Sequence, residues 1–187
     1  MNHNWQIRFH ARSGQGAKTA AHFLAVTALE QGMEFQAFSE YSADRTGAPM
    51  RTFCRISDKP IRTHEPVINP DIVVVLDPSL MDIKDITEGI KEGGMLLVNS
   101  NKDADYFREK TGFNGTIHTL NATKISMDIT CKNFPNLPML GAMSRVSEII
   151  SLRTLKDTVK KAYVRKFDRE FTDKTLRGIN RGYEEVR

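Results

Sequence analysis

Five consecutive apolar residues, Ile72-Val73-Val74-Val75-Leu76, stand between Pro70-Asp71 and Asp77-Pro78. A half-buried strand alternates apolar and polar side chains, whereas an unbroken β-branched run must be covered on both faces. The run therefore predicts a central parallel strand with layers packed on either side. A chain of 187 residues, 40% of them hydrophobic, is long enough to build those layers around one core.

Upstream, Trp5 to His10 alternates as a strand does and stops at two glycines, Gly14 and Gly16. Behind them Ala17, Ala20, Ala21, Leu24 and Ala28 recur at helical spacing as far as Gly32, a C-terminal stop signal. Residues 33–39 and 50–57 read as two more strands. The interval between them has no room for a crossover helix, so an antiparallel pair is expected. After the buried run the pattern predicts a helix from about Leu80 to Lys91, closed by Gly93-Gly94. A strand in MLLVNS (95–100), a helix in KDADYFREKTG (102–112) and a strand in GTIHTLNA (115–122) come next. From Met139 onward three segments carry helical spacing with no strand between them. The expected fold is α/β, a three-layer α/β/α arrangement with a mixed, mostly parallel sheet and a C-terminal helical segment. Its expected division is an α/β domain over 1–150 and a helical extension over 151–187 that packs on the domain or on a partner subunit.

Charge and cysteine usage narrow the function by exclusion. The 27 basic and 23 acidic residues give a net charge of +4 and are mostly interleaved, which does not describe a nucleic-acid track. The late basic residues Lys160, Lys161, Arg165, Lys166 and Arg169 are interrupted by Asp168 and Glu170, as on a solvated or partner-facing helix. Cys54 and Cys131 lack Cys-x-x-Cys spacing and read as core thiols in a reducing compartment, leaving no zinc or iron–sulfur site in local sequence. His3, His10, His22, His64 and His118 show no metal-ligand spacing, so no metal site is expected. No signal-peptide core or membrane-length apolar stretch is present, and a cytoplasmic protein without a membrane span is expected. With no acid cluster, no G-x-S-x-G elbow and no complete cofactor motif, no catalytic residue is assigned; the pattern points to a binding domain or a subunit.

In open α/β sheets ligands sit at the carboxyl ends of the strands, here HARSGQG, LDPS and VNSN. The first is the best candidate. In Arg12-Ser13-Gly14-Gln15-Gly16 the glycines allow a sharp turn and close backbone approach, and a helix N-terminus comes directly after with Arg12 and Lys18 nearby. Thr19 stands at the third glycine of G-x-G-x-x-G, although Glu40 could serve as the ribose-binding acid, and the glycine spacing of a Walker A loop is absent. An anion cradle and a purely structural strand-to-helix turn both fit. The second candidate is the loop Glu40, Tyr41, Ser42, Ala43, Asp44, Arg45, Thr46, Gly47, Ala48, Pro49, long for a hairpin and rich in charge. It suits a functional loop or a solvated one. His10 fits a ligand contact or a structural hydrogen bond, and Asp77 a cation site or a cap for the helix expected after it.

Taken in order, ARSGQG (11–16), EYSADRTGAP (40–49) and PDIVVVLD (70–77) resemble the gamma subunit of the 2-oxoacid:ferredoxin oxidoreductases, and LPMLGAM with LKDTVKKAY extends the likeness to about residue 165. Ala11 and Ser13 replace glycines of the family's turn, Ser42 replaces the glycine after Glu40-Tyr41, and Thr46 stands where a second arginine is common. The resemblance implies a multi-subunit enzyme that oxidatively decarboxylates pyruvate or a related 2-oxoacid with coenzyme A, giving acyl-CoA, carbon dioxide and electrons for ferredoxin. Thiamine diphosphate with Mg and [4Fe-4S] clusters would reside on other subunits, since this sequence has neither a G-D-G…N-N motif nor enough cysteines. The implied partners are thiamine-binding and other catalytic subunits (alpha, beta), a ferredoxin-like delta subunit, and ferredoxin as acceptor. This chain would bind no redox cofactor alone. Its expected roles are a phosphate or coenzyme A contact at Arg12, Ser13, Gly14, Gln15 and Gly16, and a subunit-interface loop at Glu40, Tyr41, Arg45, Gly47, Ala48 and Pro49. The competing reading is a stand-alone NAD- or flavin-binding Rossmann-like oxidoreductase built on the same turn.

Overall fold

A computed structural model describes residues 4–41, 47–82 and 86–187. The described residues form, in chain order, β1 (Asn4–Arg12), α1 (Ala17–Glu30), β2 (Glu34–Tyr41), β3 (Pro49–Ser57), β4 (Ile72–Val75), β5 (Met95–Asn99), α2 (Ala104–Thr111), β6 (Thr116–Leu120), α3 (Ala122–Thr130), α4 (Asn136–Ser147), α5 (Leu152–Tyr163) and α6 (Arg169–Glu185). The strands make one sheet in the order β2-β3-β1-β4-β5-β6. Pairings β1–β4, β4–β5 and β5–β6 are parallel, while β3 runs antiparallel to both of its neighbours. β3 alone is reversed, so the sheet is mixed and mostly parallel. The expected antiparallel pair is present, running from Glu34↔Ser57 to Tyr41↔Met50.

The apolar run of β4 explains itself in this sheet. Ile72, Val74 and Leu76 enter one core with Ile7 and Phe9 of β1 and Leu97 of β5, while Val73 and Val75 enter a second core with Leu96, Val98 and Ile117. Each such side chain, fully buried, contributes roughly 1.5–3 kcal/mol. The first core is roofed by α1, α3, α4, α5 and α6, through residues such as Leu24, Ile125, Met143, Leu155 and Ile179. The second is roofed by α2 through Phe107 and by Leu80 and Ile86. The three layers are therefore unequal, with five helices on one face and one on the other among the described residues. The helices after residue 150 share the first core. Arg187 exchanges backbone hydrogen bonds with Thr119 (3.0 and 3.1 Å), pairing with β6.

The helix expected over 80–91 does not form among the described residues, which hold only a 3-10 turn, Pro78–Asp82. Buried Arg8, on the second face of β1, takes the carbonyl oxygens a helix would have kept. Its guanidinium donates to Ile86 O (3.0 Å) and Glu88 O (2.7 Å). Gly89 has φ +76°, and the Lys91 amide donates to Pro70 O instead of to a preceding turn. A buried guanidinium must be hydrogen-bonded, and that demand outweighs local helical spacing. Conversely, α3 arises where only a strand end and a loop are expected: Asn121 caps it by accepting from the Lys124 amide at 3.0 Å. The helical reading of 139–152 is also cut, because α4 stops at Glu148 (φ +55°) and Ser151 caps α5.

α4 and α6 pack with their backbones close together. A β-carbon at Gly182 would overlap Pro138 O, and one at Gly141 would overlap Ile179 O; at Gly178 its nearest neighbour is an ordinary 3.7 Å from Pro138 Cγ. Gly182→Ala should therefore cost about 2–3 kcal/mol, a fall in Tm of roughly 4–12 °C. Gly178→Ala should be neutral or stabilising by up to about 1 kcal/mol through helix propensity. Thermal unfolding of the two variants checks this, and equal effects would contradict the close packing.

Candidate functional site

The carboxyl ends of β1, β4, β5 and β6 share one edge of the sheet, where β2 ends and β3 begins. At the end of β1 the chain turns through Gly14 (φ +99°) and Gly16 (φ +83°), conformations that side chains with a β-carbon rarely adopt. Gln15 locks the turn on itself: its amide donates to Arg12 O (3.1 Å) while its side-chain oxygen accepts from the Arg12 amide (2.8 Å). Space is as restrictive as conformation at Gly16, where a β-carbon would lie 2.6 Å from Asn136 Nδ2 at the start of α4.

Two of the three expected strand ends are joined directly by this turn. Gln15 Nε2 donates to Asp77 Oδ2 (2.8 Å), Arg12 Nε lies 3.3 Å from the same oxygen, and Arg12 Nη2 donates to Ser79 Oγ (3.0 Å). The Ser79 amide donates to Asp77 Oδ1 (3.0 Å), so Asp77 caps the 3-10 turn as well as receiving Arg12. The third end joins one strand further on: Asn99 Nδ2 donates to Leu76 O (2.9 Å) and Asn99 Oδ1 accepts from the Thr123 amide (3.1 Å). Burial pushes the pKa of the Asp77 carboxyl up. The hydrogen bonds from Ser79 and Gln15 and the charge of Arg12 outweigh that and hold it below the usual carboxylate range.

The second loop meets the turn at its far end. The Ser13 amide donates to Ala48 O (2.8 Å), the Gly47 amide to Ser13 O (3.1 Å), and Arg12 Nη1 to Gly47 O (3.1 Å). Arg12, Ser13, Gly47, Ala48 and Pro49 are thus one continuous surface, Pro49 pairing with Arg12 across the sheet. Glu40 stands apart. It pairs with Arg51 of β3 at 2.6 Å, and β3 separates β2 from β1, so the ribose-binding role suggested by spacing does not hold. In a dinucleotide fold the acid-bearing strand adjoins the first strand. Tyr41 closes β2 opposite Met50, and Arg45 lies outside the described residues.

His10 is buried beside the turn, where its Nε2 accepts from Arg8 Nε (3.0 Å); of its two readings the structural hydrogen bond is the one present. Cys54 is a core thiol, its pKa pushed up to about 12 by burial, but Cys131 is exposed, which corrects its reading as a core residue. As the C-cap of α3 it has φ +54° and sits outside both cores. Lys161, from the late basic group, pairs with Glu30 of α1 at 2.9 Å. Among the described residues no three His, Cys, Asp or Glu side chains gather as a metal site would require, and no helix is long and apolar enough to cross a membrane. Asn136, which closes the space over Gly16, has no sequence motif to mark it; its signal is the absence of a capping side chain before either helix that meets there.

The state of Asp77 gives the edge a pH dependence. Because its native pKa lies below the unfolded value, its stabilisation is present above about pH 4 and is lost as pH falls through the native pKa. Asp77→Asn should cost about 1–2 kcal/mol at pH 7. In urea unfolding curves across pH 2–7, that difference should shrink below about pH 4; a constant difference would contradict an ionised Asp77.

The pattern of the pyruvate ferredoxin/flavodoxin oxidoreductase family matches residues 6–185. The chain is 49% identical over 183 residues to the pyruvate synthase subunit PorC of Thermotoga maritima, covering 98% of this chain and 95% of that one. It is 40% identical over 159 residues to the pyruvate/ketoisovalerate oxidoreductases common subunit gamma of Thermococcus kodakarensis, covering 84% and 86%. The crystal structure of pyruvate oxidoreductase subunit PORC from Thermotoga maritima superposes with a TM-score of 0.88 at 46% identity, over 98% of this chain and 97% of that one. A 2-oxoglutarate:ferredoxin oxidoreductase from Magnetococcus marinus shares the fold at 17% identity and a TM-score of 0.80, over 97% of this chain and 30% of that longer chain.

Proposed function

The chain belongs to the pyruvate ferredoxin/flavodoxin oxidoreductase family as a gamma-type subunit, and from that premise we propose that it works in a hetero-oligomer that oxidatively decarboxylates pyruvate. Coenzyme A receives the acyl group and ferredoxin the electrons. Thiamine diphosphate, when bound, supplies the carbanion chemistry, and iron–sulfur clusters carry the electrons away. The donor set of this chain does not fit a cluster: its two cysteines fall short of the four thiolates required, and Cys54 is buried as a neutral thiol. Those groups belong, on this reading, to thiamine-binding subunits and a ferredoxin-like subunit.

The observation that carries the reading is the pre-formed edge. Arg12, Ser13, Gly14, Gln15 and Gly16 are held by the ends of β3 and β4 in a conformation set before any partner arrives. A surface whose side chains are already fixed loses little entropy on docking. This edge faces the catalytic subunits, with Gly47, Ala48 and Pro49 in the same interface and the Arg12 guanidinium offered to the phosphates of coenzyme A along its route. The dinucleotide alternative loses its acidic partner once β3 stands between Glu40 and the turn.

Anaerobic purification of a tagged chain from its native host tests this. Recovery with larger subunits, broad iron–sulfur absorbance, and viologen reduction dependent on both pyruvate and coenzyme A is expected. A colourless, solitary chain that binds NAD tightly would overturn it.

A further inference from the structure

The two edges of the sheet are finished differently. β6 is five residues long, and Arg187 exchanges two backbone hydrogen bonds with Thr119 along it. β2 is eight residues long, pairs without interruption from Glu34 to Tyr41, and among the described residues has β3 as its one neighbour. Natural sheets blunt a long edge with lysine, proline or a bulge. The strand EFQAFSEY holds neither lysine nor proline, and its register with β3 holds no bulge.

Register shows which groups this edge offers. The Asp71 and Leu76 amides donate to Gln6 O and His10 O, so even-numbered residues of β1 bond towards β4 and odd-numbered ones towards β3. The same alternation, carried through β3, turns the backbone groups of Gln36, Phe38 and Glu40 inward and those of Phe35, Ala37, Ser39 and Tyr41 outward. On the α1 side the edge is apolar. Phe35 is 38% exposed, and with Ala37, Ala25 and His22 it lines a groove of about 320 Å³ between α1 and β2.

The charges along the strand decide what can pair there. A two-fold axis perpendicular to the sheet sets an antiparallel copy of β2 beside the first with matching faces, so outward residues meet outward residues. Two registers keep nearly the whole strand paired. In the one centred on Ala37, Glu34 faces Glu40 of the second copy twice over, and like charges directly opposite are destabilising. In the one centred on Phe38, Phe35 faces Tyr41, Ala37 faces Ser39, Gln36 faces Glu40, and Phe38 faces its own copy. Each Glu40 then meets a neutral amide, and an aromatic pair sits on the axis.

We propose that β2 is an interface to a second copy of this chain, the two edges joining as antiparallel strands in the register centred on Phe38. Two six-stranded sheets become one continuous sheet. The interface lies at the lateral edge, with β3 between it and the strand that carries the glycine turn, and it requires no catalytic subunit. It therefore holds or fails independently of the subunit role above.

Sedimentation equilibrium of the purified full chain over a wide concentration range tests it, and a dimer is expected at the upper end. Ala37→Lys charges an exposed edge position, and Ala37→Pro removes an outward amide while sparing the bonds to β3; each should weaken self-association at least tenfold with unchanged far-ultraviolet circular dichroism. Facing residues in a non-hydrogen-bonded pair have Cα atoms about 4.5 Å apart, within disulfide reach. In a Cys131→Ser background, Phe38→Cys should therefore form a linked dimer on mild oxidation, and Ala37→Cys, which faces itself only in the disfavoured register, should not. A monomer at every concentration, a dimer that Ala37→Lys and Ala37→Pro leave intact, or linking through Ala37→Cys instead of Phe38→Cys would overturn the proposal. So would protection of residues 35–41 from hydrogen exchange that arises only on assembly with other subunits, which would give the edge to a different chain.

Discussion

At Gly16 two demands coincide: the backbone takes φ +83°, and the space a β-carbon would occupy is filled by Asn136. Left-handed backbone alone costs a non-glycine residue roughly 1–2 kcal/mol, and the overlap adds to that. Because the residue is glycine, α1 can leave β1 at a sharp angle and lie against α4. The small face of α1, with Ala17, Ala20, Ala21, Ala25 and Ala28 all buried, then lets the helix sit close on the first core. α4 in turn meets α6 through Gly141 and Gly182. One backbone conformation therefore positions the glycine turn and the helical layer.

Hydrogen bonds to charge complete what this geometry begins. The Asp77 carboxylate receives Gln15 and Ser79 and faces Arg12, so β4 and the turn after β1 act as one body. On the second face Arg8 performs a similar task at the opposite side of the sheet, tying the carbonyls of Ile86 and Glu88 to β1. Both networks hold irregular backbone where neither helix nor strand satisfies it, which is where a buried polar group must find a specific partner. In the function proposed above, this edge would present fixed groups to the catalytic chains.

Much of this architecture is legible in the chain. The uninterrupted Ile72–Leu76 run announces a strand covered on both sides, and the alternation of 50–57 announces β3, because those patterns depend on the nearest layers alone. The glycine turn likewise follows from local chemistry, whereas its contact with Gly47–Ala48 joins segments 35 residues apart and has no local signal. What escapes is decided at long range. Arg8 and the Ile86 carbonyl are 78 residues apart, and their bond replaces a helix that spacing alone would draw. The misplaced expectation for Glu40 has the same origin, since strand order, not sequence spacing, determines that β3 intervenes. Asn136 belongs to no motif, and its place over Gly16 emerges only when α1 and α4 meet. The position of Cys131 outside the cores is set by α3, itself unread.

Hydrogen–deuterium exchange, comparing the chain alone with the chain in its purified assembly, tests most directly that the edge around the glycine turn is the functional surface. Amides of Ser13, Gly14, Gly16, Gly47 and Ala48 should exchange more slowly in the assembly, while those of the β4 and β5 interiors, already protected by the sheet, stay unchanged. Unaltered exchange across residues 12–16 and 47–49, with new protection confined to other surfaces, would contradict the account.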